Sequence, residues 1–134
     1  MDTAERILRE YDTIAVVGMS KDPSKAAHAV PKVLGAAGFR VIPVNPNATE
    51  ILGERAYPRL EDVPVPVDLV LVFRPSKEAE AVARSAVAIR AKALWLQLGI
   101  RSEGARRVAE EGGLRYVEDR CAAVERAVHD IRKP

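Results

Sequence analysis

A series of continuous apolar, β-rich runs alternates with helical patterns along the whole chain. The runs are Ile14–Val17, Val41–Val44, Leu69–Phe73, Ala93–Leu98 and Leu114–Val117. Runs that are apolar throughout, and not at every second residue, belong to strands buried on both faces, so the sheet is predicted to be mostly parallel. A parallel sheet needs a crossover between strands, and the intervening segments supply helices. Thr3–Tyr11 forms a leading helix. Val30, Val33, Leu34 and Ala37 recur at helical spacing before Gly38 ends the pattern. Because Pro31 fits only the first turn of a helix, this one is expected to start near His28. Ser76, Glu78 and Ala79 open the next, with Ala79, Val82, Ala83, Ala86 and Val87 as its apolar face. Ser102 caps a third that ends at Gly112-Gly113, and Ala122–Ile131 make the last.

This alternation predicts an α/β fold: one domain over residues 1–134 with a doubly wound, mostly parallel sheet. The expected strand order is 3-2-1-4-5-6, with Arg55–Tyr57, next to Pro58, as a short third strand. Such an order opens a crevice at the carboxyl ends of strands one and four, where these folds take ligands.

Bulk composition removes several functions. With 48% hydrophobic and 30% charged residues the chain is expected to fold as a globular domain. A net charge of +2 lacks the basic excess of a nucleic-acid binder, and 4% aromatic residues offer little surface for base stacking. No apolar run is long enough to span a bilayer, and no apolar stretch follows a basic start. The lone Cys121 excludes an internal disulfide and fits a reducing compartment, so a cytoplasmic location is expected.

The loops that follow the strands carry the chemistry. Strand one runs into Gly18-Met19-Ser20-Lys21, with Ser24 and Lys25 before the helix. Hydroxyl, ammonium and unpaired N–H groups at a helix start make an anion site; the alternative is a solvated turn. A dinucleotide fingerprint needs Gly-x-Gly-x-x-Gly, and here Gly18 stands alone. Strand two ends at Val44-Asn45-Pro46-Asn47, where an NAD enzyme places a carboxylate for the ribose; none is present. Together with Lys21 and Lys25, that favours an adenosine ligand with an additional phosphate.

Strand four ends at Phe73-Arg74-Pro75-Ser76. Arg74 could grip a phosphate bidentately or pair with a local carboxylate, and Phe73 could cover a base or fill the core. In Trp95-Leu96-Gln97-Leu98-Gly99, Gln97 is polar within an apolar run and needs a partner if buried, while Gly99 could admit a ligand or simply turn the chain. Candidate catalysts are few. His28 is near the loop and His129 is on the last helix, away from the crevice. Cys121, after Asp119-Arg120, is either a thiolate candidate or a small core residue. No triad and no metal-ligand spacing stands out.

At these positions the chain resembles a family. Val17-Gly18-Met19-Ser20, Val41-Ile42-Pro43-Val44-Asn45-Pro46, Gly53-Glu54, Trp95-Leu96-Gln97-Leu98-Gly99-Ile100 and Asp119-Arg120-Cys121 are similar to the stand-alone CoA-binding proteins. Those in turn resemble the N-terminal CoA-binding domain of the succinyl-CoA synthetase α subunit. The resemblance implies a Rossmann-like domain that binds coenzyme A, or an acyl-CoA, through its 3′-phosphate-ADP half. It implies Gly18 to Lys21 as the pyrophosphate loop, Asn45 and Pro46 as the second contact, Phe73, Arg74 and Pro75 as the third, and Gln97 with Gly99 as the fourth. The chain departs from the synthetase at Lys21-Asp22-Pro23, where that enzyme has a glycine-rich turn. The synthetase's domain with the phosphorylated histidine has no counterpart in these residues, so ligase activity is not implied. The expected function is a non-catalytic or regulatory CoA-binding module, with a protein partner left open. The alternative is an NADP-dependent reductase or NAD(P)-sensing regulator.

Overall fold

The computed structural model describes residues 1–134. In chain order it comprises α1 (Thr3–Glu10), β1 (Thr13–Val17), α2 (Ala26–Ala36), β2 (Arg40–Val44), β3 (Glu50–Ile51), β4 (Glu54–Arg55), a 3-10 turn at Leu60–Asp62, β5 (Leu69–Val72), α3 (Ser76–Ala88), β6 (Ala93–Leu96), α4 (Glu103–Glu111), β7 (Arg115–Val117) and α5 (Ala122–Val128). Each apolar run has become a strand of one parallel sheet of order β2-β1-β5-β6-β7, while β3 and β4 pair as a separate antiparallel hairpin.

The pleat splits the core in two, because successive strand side chains point to opposite faces. Ile14, Val16, Leu69, Leu71 and Trp95 face one way, onto Ile7, Leu8 and Leu34 of α1 and α2 and Ala122 of α5. Ala15, Val70, Val72, Leu94 and Leu96 face the other, onto Ala79, Ala83 and Ala86 of α3 and Ala105 and Ala109 of α4. The alanines let α3 and α4 lie close to the sheet, so each strand is covered on both sides as its continuous apolar sequence requires. Truncating a fully buried side chain such as Leu71 should cost about 2–5 kcal/mol. Crossovers run outward in opposite senses from the β1–β5 pair, which makes that boundary the topological switch point.

Three local features differ from expectation. The third strand is reduced to one parallel bridge between Tyr57 and Val44, and Arg55 belongs to the hairpin. The Tyr57 amide donates to the Pro43 carbonyl and the Asn45 amide to the Tyr57 carbonyl. The next rung toward the amino end would need an N–H from residue 43, and proline has none, so pairing stops. Secondly, α2 begins at Ala26 and carries Pro31 inside the helix, past its first turn. The last helix ends at Val128, short of Ile131, and Asp130 turns the chain away at φ 47°.

Candidate functional site

A cleft of about 680 Å³ opens at the carboxyl ends of β1, β2 and β5, bounded by α3 and the 3-10 turn. The loop after β1 forms its floor. Gly18 holds φ 87°, and a Cβ there would lie 2.9 Å from Cδ of Arg74. Only glycine permits both the left-handed backbone and the arginine stem lying against it. The Gly18 amide donates to the Val44 carbonyl at 2.9 Å, which joins the loop to the end of β2.

Beyond Gly18, Met19 is 1% exposed and anchors the loop from below. Its carbonyl accepts from Nδ2 of Asn45 at 2.8 Å, while Oδ1 of Asn45 accepts from the Asn47 amide. The polar residue found in place of a ribose-binding carboxylate therefore bolts two cleft loops together. Ser20 is held from three sides. Its Oγ accepts the Asp22 amide, its carbonyl accepts Nδ1–H of the buried His28 at 2.8 Å, and its amide donates to the Ala27 carbonyl at 3.1 Å. The Ala27 carbonyl is available because Pro31, four residues on, has no N–H to offer it. Asp22 accepts both the Ser24 amide and hydroxyl, which hold its carboxyl below the usual aspartate value.

These bonds leave the Ala26 and Ala27 amides, in the first turn of α2, without an intrachain acceptor. Ala27 and Lys25 both line the cleft. Unpaired amides, the positive end of a helix and an ammonium group thus converge on one wall, an arrangement that favours an anion.

On the opposite wall stand Phe73 and Arg74, and then Glu78, Val82 and Ser85 of α3. Nε and Nη2 of Arg74 grip both oxygens of Glu78 at 3.1 and 2.9 Å. This hydrogen-bonded pair holds the Glu78 carboxyl below its usual value. Arg74 is also 48% exposed in its side chain, so the guanidinium can be reached from the cleft. The outer rim comprises Pro58, Arg59, Leu60 and Glu61, with Glu61 accepting from the Ser85 hydroxyl at 2.8 Å.

Of the residues singled out from sequence, Gly18, Met19, Ser20, Lys25, Asn45, Pro46, Phe73 and Arg74 line this one cleft. Lys21, Pro75, Gln97 and Gly99 do not. Lys21 is exposed at the loop's outer edge and Pro75 precedes α3. Gln97 is buried, and its Oε1 accepts the Ala122 amide at the start of α5. Gly99, at φ 88°, donates its amide to Asp119, whose carboxyl also grips Arg101; these bonds, the Gly99 amide first, keep that carboxyl below its usual value.

Trp95 is fully buried and donates Nε1–H to the Arg120 carbonyl. Cys121 precedes α5 half-buried against the core, outside the cleft. Asp2, Glu125 and His129 bring ligand atoms within 4.8 Å of one another, but Arg120 already bridges Asp2 and Glu125 at 2.8 and 3.1 Å. The rim residues Arg59 and Glu61 and the α3 face were not found from sequence. The signal for the latter was the spacing of Glu78, Val82 and Ser85, which puts them on one helical face.

Residues 12–127 match the family described as CoA binding domain. The uncharacterized protein YneT of Bacillus subtilis is 37% identical over 124 residues, covering 92% of each chain. A solved Thermus thermophilus protein, cell-free ID.343, superposes with a TM-score of 0.90 at 40% identity, covering 96% of this chain and 99% of that one. The ADP-forming acetate–CoA ligase II α subunit of Pyrococcus furiosus is 40% identical over 65 residues, which is 48% of this chain and only 14% of the ligase subunit.

Proposed function

The chain belongs to the CoA-binding domain family, and on that premise we propose that it binds coenzyme A or an acyl-CoA in the cleft at the switch point, as a non-catalytic or regulatory module. One observation carries the reading. The cleft collects an anion-accepting helix start, a glycine-tight loop and an accessible arginine from separate segments of the chain. A ligand with several phosphates, one of them terminal, uses all three.

In this proposal the Gly18, Met19 and Ser20 loop shapes the pyrophosphate site, the Ala26 and Ala27 amides donate into it, and Lys25 supplies charge from the wall, with Lys21 at the loop's outer edge. Asn45 and Pro46 contact the ribose side, Phe73 and Arg74 face the adenosine with its 3′-phosphate, and Pro75 acts behind them by setting the start of α3. Gln97 and Gly99, at the end of the neighbouring β6, act on this reading by fixing that loop, through the Ala122 amide and the Asp119 carboxylate, where the pantetheine would leave the cleft. The Arg74–Glu78 pair sets a condition on binding, because a phosphate must displace or share a guanidinium that a carboxylate already holds.

Mass spectrometry of the protein purified without denaturation tests the reading. A retained ligand with the mass of CoA or an acyl-CoA is the expected result. A retained nicotinamide dinucleotide would overturn it.

A further inference from the structure

On the other side of Met19 from the cleft lies a second cavity of about 390 Å³, between α2, the start of β2 and the β3–β4 hairpin. Several residue choices around it bring the fold no visible return. Leu52 and Gly53 are the two turn residues of the hairpin, with φ 53° and 76°. Turns of this kind favour Asn or Gly at the first position, and leucine is strained there. Leu52 is moreover 44% exposed, so its side chain is not there to fill the core.

Gly35 sits in the last turns of α2, where glycine weakens a helix relative to alanine. A Cβ at Gly35 would meet only Val41 Cγ2, at an ordinary 4.0 Å, so packing does not require glycine. What its absence of a side chain does is keep the groove open. The charged groups of the groove are unspent as well. Lys32 and Arg40, which line this cavity, are exposed and hold no carboxylate, so both are free to meet an acid group. The opposing charge is that of Glu54, which leaves one positive charge in excess.

Costs that the fold does not need are a reason to look for a ligand. We propose that the groove between α2 and the β3–β4 hairpin binds a small aliphatic carboxylate, its tail under Leu52 and over Gly35 and its acid group at Lys32 and Arg40. The volume is within the range of small-molecule sites, the apolar walls suit an alkyl tail, and the single excess positive charge suits a monoanion. This site does not depend on the CoA reading, since it lies outside the cleft.

Amide NMR titration of the intact protein with hexanoate tests it, with hexanol and hexylamine as controls. Hexanoate should give saturable shifts at Gly35, Leu52 and Gly53, and each control should bind at least roughly ten-fold more weakly, as expected when a charge-assisted contact is lost. The Lys32→Ala/Arg40→Ala protein should lose about ten-fold in hexanoate affinity on the same ground. Leu52→Asn gives the turn a residue it favours, so it should unfold at an equal or higher temperature and yet bind hexanoate several-fold more weakly. The proposal is overturned by shifts that do not saturate or that map elsewhere. It is equally overturned by hexanol binding as well as hexanoate, or by a folded Leu52→Asn protein with native affinity.

Discussion

The Ser20 amide donates to the Ala27 carbonyl across the start of α2, an acceptor released by a proline inside the helix. Pro31 costs α2 a rung of its ladder and in exchange fixes the cleft loop. In Pro31→Ala, the new amide should compete for Ala27. Helix stability should hold or rise, while the Ser20 amide should exchange with solvent faster and CoA affinity should fall several-fold. Amide hydrogen exchange with a binding titration checks both.

Gly18→Ala tests the close approach of loop and arginine. The substitution forces an alanine into φ 87° with its Cβ 2.9 Å from Arg74 Cδ. A destabilisation of about 1–3 kcal/mol is expected from the strained backbone. Displacement of Arg74 should also weaken CoA binding beyond what the stability change explains. Denaturant unfolding and calorimetry on the same protein separate the two effects.

Gln97→Leu should destabilise by about 1–3 kcal/mol, because it leaves the buried Ala122 amide without its acceptor. Urea unfolding measures this, and the loss should appear with the start of α5 exchanging faster than the rest of the core.

Asp119 gives a pH dependence whose sign is fixed. Its carboxyl titrates below the usual 3.8 because the Gly99 amide, and then Arg101, favour the charged form. A depressed folded value contributes stability above the unfolded pKa and loses it as pH falls through the folded one. Stability should therefore decline below about pH 4. Asp119→Asn tolerates the left-handed φ of 57° and can still accept from Gly99, so it should flatten part of that decline. Thermal unfolding between pH 2 and 6 (a span of about four units around the usual carboxylate value) reads the difference.

The strands and their parallel pairing were legible because burial on both faces writes itself into consecutive apolar residues such as Leu69–Val72. So were the loops at the strand ends, since the switch point follows from strand order alone. Pro31 misled about the start of α2 because the partner that makes it tolerable, the Ser20 amide, is a tertiary neighbour with no helical signature. Gln97 was recognised as needing a partner, but the Ala122 amide is 25 residues away and no local spacing names it. Arg59 and Glu61 escaped notice because charges in a proline-rich loop read as a solvated turn until the fold places α3 opposite them. Arg74 left two readings open, and the structure pairs it with Glu78 while leaving it accessible to a ligand.

Calorimetric titration with CoA, dephospho-CoA and NAD(H) tests the central claim most directly. The account predicts saturable binding of CoA, with affinity reduced about ten-fold or more when the 3′-phosphate is removed, the worth of a charge-assisted contact. Tight binding of NAD(H) with none of CoA, or equal binding of CoA and dephospho-CoA, would contradict it.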